Sequence, residues 1–478
     1  LDGRSLSIAD VVAVARGNAS VSLDPKALEA VRQSRNAVEA AVERGETIYG
    51  VNTGFGKLAH VRIPPEQARQ LQLNLIRSHA SGVGEPLGQD AVRAMMLLRA
   101  NVLTRGTSGV RPVVPELLVD MLNRKIHPTV PSQGSVGASG DLAPLSHLAL
   151  AMIGEGEVHV PNPITLEAKE GLAFVNGTQA QTGLAALLVT DAWTLWRSAH
   201  AAAAMSLEAV RGSPDPFDAR IHDARPHTWQ QRSAALLREL LAESEIRESH
   251  RDNDPRVQDA YSLRCSPQVL GAVGEGLAFA ERLVATELNA ATDNPLVFGN
   301  DVLSGGNFHG QPIALALDVV GIALTTLAGL AERRIERVVN PDLSSGLPAF
   351  LARDPGLESG FMTAQITAAA LVADCRVLAT PASVQSVPTE GNQEDVVPMG
   401  MSAAWKAGRI LANAERIVAI ELLAGAQGLE YLKPLKPSKA VGRLHAVVRK
   451  VSAALTTDRP MTTDIERIAR GIRGGMFV

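Results

Sequence analysis

Aromatic residues are scarce in this chain, with 4 Trp, 3 Tyr and 9 Phe among 478 residues. An interior so poor in rings must be aliphatic. The Ala, Leu and Val that replace them favour helices packed on helices over a β-sandwich or barrel. Cysteine is nearly absent too: Cys265 and Cys375 cannot make a disulfide framework, which points to a reducing compartment. Neither sign of charge dominates, since 46 Lys and Arg oppose 50 Asp and Glu, and no basic cluster stands out; a nucleic-acid partner is not expected. No basic-then-apolar leader opens the sequence, so a cytoplasmic protein is expected; Leu1 is not Met, which places the natural start upstream or trimmed. One stretch, Pro312–Ala331, approaches membrane length. It carries Asp318 and two threonines, and it reads as a buried bundle helix with no membrane partner. The 11 histidines include no His-Glu-x-x-His, and no Cys-x-x-Cys accompanies them, so no metal is expected. His222 and His227 flank a charged stretch and are expected to face solvent.

What is present is mostly helical pattern. Length alone suggests about three domains, although large helical folds run past that arithmetic as one unit. Ser7–Arg16, Pro25–Glu43 and Pro65–Arg77 read as helices, the last with prolines where a missing N–H costs nothing. Between the last two lies Tyr49-Gly-Val-Asn-Thr-Gly-Phe-Gly56, whose three glycines predict a loop with unusual backbone angles. From Ser266 onward the helices lengthen. Val269, Val273, Leu277, Ala280, Val284 and Leu288 step by three or four residues along one face. Further long helices are predicted at Pro312–Val339, Gly360–Ala379 and Met399–Ala426. Several are apolar nearly all round, as in the centre of a large bundle or oligomer. The predicted architecture is mainly α. A mixed N-terminal head spans residues 1–200, and a long central helical bundle spans 201–478.

The densest unusual segment is Gly134-Ser-Val-Gly-Ala-Ser-Gly-Asp141. It is not a phosphate loop, because Asp141 stands where Lys should follow the last glycine, and its glycine spacing does not fit a dinucleotide fingerprint. It is not a nucleophile elbow either, since Gly is missing two places after Ser139. The plain reading is a tight turn before a helix, with Asp141 as N-cap. Ala138-Ser139-Gly140 allows more. The Gly140 nitrogen can attack the Ala138 carbonyl because no Cβ blocks so tight a contraction. Loss of water closes a five-membered ring, and dehydration of Ser139 leaves an exocyclic methylene. The product would be an electrophile, an electron sink that ordinary side chains do not supply.

The run Gly134-Ser-Val-Gly-Ala-Ser-Gly-Asp-Leu-Ala-Pro-Leu145 resembles the signature of the histidine and aromatic amino-acid ammonia-lyases. The resemblance continues through Tyr49–Gly56, Asn176-Gly-Thr-Gln179, Tyr261-Ser-Leu-Arg264, Ser304-Gly-Gly-Asn-Phe-His309 and Asn392-Gln-Glu-Asp395, in order along nearly the whole chain. Each block also has a plain reading: a loop tyrosine, a turn asparagine, a helix-start arginine, a solvated glutamate.

The resemblance implies a fold like that of the fumarase and aspartase superfamily, assembled as a homotetramer whose sites combine several subunits. It implies elimination of ammonia from L-histidine to give urocanate. The electrophile would be a 4-methylidene-imidazol-5-one formed from Ala138, Ser139 and Gly140, with no dissociable cofactor. Tyr49 would take a β-proton, while Arg264 and Asn176 would fix the substrate carboxylate. Tyr261 would orient the electrophile or handle a proton, and helix N-termini would supply a positive field. Gln258, Phe308 and Glu394 are placed among the substrate-binding residues. Ser78-His79 resembles the histidine-selective form of the family's specificity position. Val396 departs from the pattern, since histidine-acting members commonly carry His after Gln-Glu-Asp. A tyrosine or phenylalanine lyase, giving coumarate or cinnamate, is therefore the alternative. A scaffold homologue whose ring never forms is the reading from a different class.

Overall fold

The computed structural model describes residues 1–478. Helices begin where their caps stand. The Ser7 side chain accepts from the Asp10 N–H while the Asp10 carboxylate accepts from the Ser7 N–H, closing a reciprocal box at the start of Ile8–Ala15. Asp24 caps Pro25–Glu43 with proline in its first turn. The expected helix at Pro65–Arg77 opens as a 3-10 turn, Pro65–Gln67, before the α-helix Ala68–His79. The long helices are Gln179–Ala209, Ser266–Glu287, Gln311–Val339, Met362–Leu378 and Gly400–Glu430. Sheet is confined to two antiparallel pairs, Val83–Pro86 with Pro131–Gln133 and the hairpin Leu296–Phe298 with Asp301–Leu303. The fold is mainly α, as the aliphatic composition predicts.

The residues divide into two compact units. The first holds Leu1–Leu188, Ala280–Asp318 and Pro381–Trp405; the second holds Val189–Phe279, Val319–Thr380 and Lys406–Val478. The head is expected at 1–200, whereas the opening stretch of the first unit ends at Leu188, inside the helix Gln179–Ala209. That unit also draws on two segments from the half predicted to be bundle.

In the first unit the helix Gln89–Thr104 is buried continuously from Ala91 to Thr104, including Arg93, Arg99 and Asn101. Arg93 and Asn101 are tolerated because backbone carbonyls receive their hydrogens: Arg93 donates to the Val14 carbonyl and Asn101 to that of Leu288. Ala37, Val38, Ala41, Ile48, Val51 and Val297 form an aliphatic cluster beneath the Tyr49 loop. The helix Gln311–Val339 is long and apolar enough to cross a membrane. Its Asp318 nevertheless accepts from the Ala382 and Ser383 N–H groups at 3.0 and 2.7 Å, as a polar residue of a packed core helix does.

In the second unit Arg334 and Glu421, both fully buried, form a forked ion pair, and Ser206 donates to the same carboxylate. Small residues let helices approach closely here; a Cβ added to Gly428 would lie 2.9 Å from that of Ala209. Trp193, Trp196 and Trp229 cluster with centroids 4.4–5.6 Å apart, and His200 lies against Trp196 at 4.2 Å. His222, expected in solvent, is buried instead. Its ring bonds the Pro216 carbonyl and the Gln230 carboxamide, which satisfy both nitrogens in the interior. His227 is exposed as predicted. Ile322, Ile366 and Val377 remain exposed on their helices.

Candidate active site

Four helix starts surround the glycine-rich segment in the first unit. The helix Leu142–Met152 begins directly after it. The Gly310 N–H, at the head of Gln311–Val339, donates to the Gly137 carbonyl at 3.0 Å, and the Met399 N–H, before Gly400–Glu430, donates to that of Val136 at 2.8 Å. The Gln181 N–H in the first turn of Gln179–Ala209 donates to Asp141 at 2.8 Å. Helix N-termini carry partial positive charge, so a developing anion here is stabilised.

Asp141 occupies the predicted cap position without capping its helix. Its carboxylate is instead claimed by the Ser135 hydroxyl and by Gln181. Burial pushes its pKa up to about 6 against those hydrogen bonds.

Gly140 has φ +79°, and a Cβ there would fall 2.2 Å from the Gly177 carbonyl oxygen, so no other residue fits. Asp141 N–H bonds that same oxygen at 2.7 Å, which locks the segment onto Gly177. One residue earlier, Ser139 is gripped from both sides. Its carbonyl oxygen accepts from the Asn176 Nδ2 at 2.7 Å, and its N–H donates to Glu394 Oε1 at 3.1 Å. Asn176 is itself held from behind, since the buried Arg99 guanidinium donates to its backbone carbonyl at 3.1 Å.

Tyr49, Ala138, Ser139, Asn176, Phe308 and Glu394 line one cavity of about 500 Å³, and Glu390 and Val396 contribute to its wall. The phenolic oxygen of Tyr49 accepts from the Gly56 N–H at 2.9 Å, within the glycine-rich loop. Burial raises the proton affinity of that phenol, the Gly56 hydrogen bond opposes the rise, and the charges of Glu390 and Glu394 add to it. The second oxygen of Glu394 accepts from the Thr389 hydroxyl at 2.5 Å, so both oxygens have defined partners.

Ser78 and His79 end the helix Ala68–His79 and are not in the cavity wall. Both side chains bond the Leu75 carbonyl, and they meet each other at 3.0 Å. Burial lowers the His79 pKa, while the Leu75 carbonyl and the charge of Glu394 oppose the shift. Gln258, Tyr261 and Arg264 belong to the second unit and do not line this cavity. Tyr261 and Arg264 share one helical turn, as their spacing predicts, with the guanidinium 4.7 Å over the phenol ring. Tyr261 is 70 % exposed. Sequence reasoning did not find Glu390, Gly177 or Arg99. Gly177, which pairs in space with Gly140, was within reach only through its place beside Asn176 in the sequence.

A sequence model described as aromatic amino acid lyase matches residues 6–450. The chain belongs to the aromatic amino acid lyase family. Within it, the chain is 51 % identical to the histidine ammonia-lyase of Koribacter versatilis, over 99 % of this chain and 98 % of the relative. It is 50 % identical to that of Myxococcus xanthus, over 99 % and 96 %. Among solved structures, a histidine ammonia-lyase from Trypanosoma cruzi superposes with a TM-score of 0.91 at 42 % identity, covering 100 % of this chain and 93 % of that one. A tyrosine aminomutase from Streptomyces globisporus superposes at 0.94, also at 42 % identity, covering 100 % and 97 %.

Proposed function

We propose that this lyase eliminates ammonia from L-histidine to give urocanate, using a methylidene-imidazolone made from Ala138, Ser139 and Gly140. The observation that carries the reading is the grip on Ser139. A segment free to rearrange needs a glycine at the attacking nitrogen, and Gly140 has room for nothing else. The hydrogen bond from Asn176 to the Ser139 carbonyl polarises the group that would become the ring oxygen. Closure requires the Gly140 nitrogen to bond the Ala138 carbonyl carbon, with one water leaving from that carbonyl and a second from the Ser139 side chain. The finished group supplies an electrophilic carbon, which the protein side chains lack.

The remaining work falls to this chain's residues. Tyr49 takes the β-proton, and the Gly56 N–H stabilises the phenolate form that does so. Glu394 offers a carboxylate to a substrate cation in the same cavity. Arg264 has the planar fork to clamp the substrate carboxylate together with Asn176, and Tyr261 and Gln258 accompany it. We assign these three to a neighbouring copy in a homotetramer. The exposed Ile322, Ile366 and Val377 offer apolar helix faces for such an assembly. The two free cysteines fit a cytoplasmic setting.

Val396 favours a second reading, a tyrosine or phenylalanine lyase, because it puts an apolar side chain in the cavity wall. Offering histidine, phenylalanine and tyrosine in turn, and following the absorbance of the conjugated product, decides between them. Intact mass tests the ring: two lost waters remove about 36 Da by stoichiometry, and an unchanged mass refutes it.

A further inference from the structure

Residues 389–394 form a strained, largely exposed loop. Glu390, Gly391 and Asn392 all have left-handed backbone angles, with φ of +51°, +62° and +70°. For Glu390 this conformation is unfavourable, and such strain persists where surrounding contacts enforce it. Here Thr389 and Glu394 close the loop on itself, the N–H of one meeting the carbonyl of the other at 2.8 Å and their side chains meeting at 2.5 Å. The result brings two carboxylates, Glu390 and Glu394, into the wall of one cavity.

Glu390 has no ion-pair partner in the chain. Its carboxylate rests on the α-carbon of Gly56, so closely that a Cβ built there would lie 1.9 Å from Oε1. Gly56, at φ +52°, is the residue whose N–H meets the Tyr49 oxygen. Glu390 therefore touches the donor that holds the base, and its negative charge stands beside the phenol.

The geometry points to Glu390 as a positioning residue for Tyr49, one that packs on Gly56 beside the phenol and whose charge strengthens the phenolic oxygen as a proton acceptor, against the pull of the Gly56 N–H. The inference rests on the reading of Tyr49 as base. Other charged or titratable groups stand nearby: Glu394 on the same loop, Asp395 and His309 in the cavity wall, Lys57 beside Gly56, and His79 at the end of its helix. Of these, Glu394 also acts on the phenol, so the charge of Glu390 must be removed alone.

Glu390→Gln does this while keeping the side chain's size on an exposed turn, so folding is expected to be retained. The ultraviolet phenolate signal is titrated in the full-length protein and in its Tyr49→Phe variant, and the difference isolates Tyr49. Glu390→Gln is expected to lower that midpoint by about one pH unit, a tenfold change in proton affinity. The acidic limb of kcat/KM should move the same way, with kcat reduced several-fold. Glu390→Asp, which keeps a charge, should shift the midpoint less far. An unmoved Tyr49 midpoint in Glu390→Gln overturns the proposal. So does a rise in KM alone, which would make Glu390 a contact to a substrate cation. The titration needs no substrate and stands apart from the lyase reading, which fails separately if the unaltered protein turns over none of the three amino acids.

Discussion

The carboxamide nitrogen of Asn176 lies 2.7 Å from the carbonyl oxygen of Ser139. Asn176 Oδ1, its other side-chain atom, is buried and has no partner within the chain. An unsatisfied buried acceptor is costly, and it persists where a site is built for something to arrive.

Replacing Ser139 with Ala tests what that grip is for. The hydroxyl contributes little to packing, so the variant is expected to fold and melt like the parent. It should keep its full unmodified mass and show activity at background. Near-parental turnover would refute the prosthetic-group assignment.

Tyr49→Phe removes only the proton acceptor, leaving the edge-on contact between this ring and Phe55 in place. We expect kcat to fall by about 10²–10⁴-fold, the usual contribution of a general base. A defect confined to KM would mean that Tyr49 binds substrate instead.

The Ser78-His79 pair stands outside the cavity wall, its side chains on the Leu75 carbonyl, and an exchange tests the proposed part it takes in substrate choice. Exchanging it for Phe-Leu is expected to cut kcat/KM for histidine by about tenfold or more and to admit phenylalanine, because an imidazole that hydrogen-bonds is replaced by apolar surface. If histidine turnover survives untouched, Val396 becomes the better guide to the substrate.

Glu208 in the second unit gives a pH dependence with a definite sign. It is 2 % exposed, and its carboxylate accepts from the Ser438 N–H. Burial pushes its pKa up to about 7, against the bonds from Ser438 and Ser244. The folded form therefore holds a proton that the unfolded form has released between about pH 4.5 and 7. The contribution is full below that window and is lost as pH rises through it, by about 3 kcal/mol at most. Glu208→Gln removes this titration. The melting temperature of the variant relative to the parent should rise from pH 5 to pH 8; a constant difference would show that Glu208 does not titrate in that range.

The parts legible in the sequence were those governed by local chemistry. The helices read at Ser7–Arg16 and Pro25–Glu43 stand where the pattern placed them, because caps and first-turn prolines act within one turn, and the tight glycine turn at Gly140 was legible because its chemistry involves only neighbouring residues. Asp141 misled, since its local environment offers a helix to cap while Ser135 and Gln181 outbid it in space. His222 misled for the same reason: charged neighbours in sequence said nothing about Gln230, which meets it across a loop. Glu390 gave no signal, because its role depends on a left-handed turn and on Gly56, more than three hundred residues away in the chain.

The tryptophan cluster decides what an optical experiment on this protein can see. Trp193, Trp196 and Trp229 all lie in the second unit, and Trp405 is the one indole of the first. Indole emission during denaturation is thus dominated by the second unit, whereas the cavity holding Tyr49 and Ser139 is lined by no indole. A variant could lose that cavity with its emission spectrum almost unchanged. Circular dichroism, which reports the helices of both units, read beside fluorescence would separate the melting of one unit from that of the other.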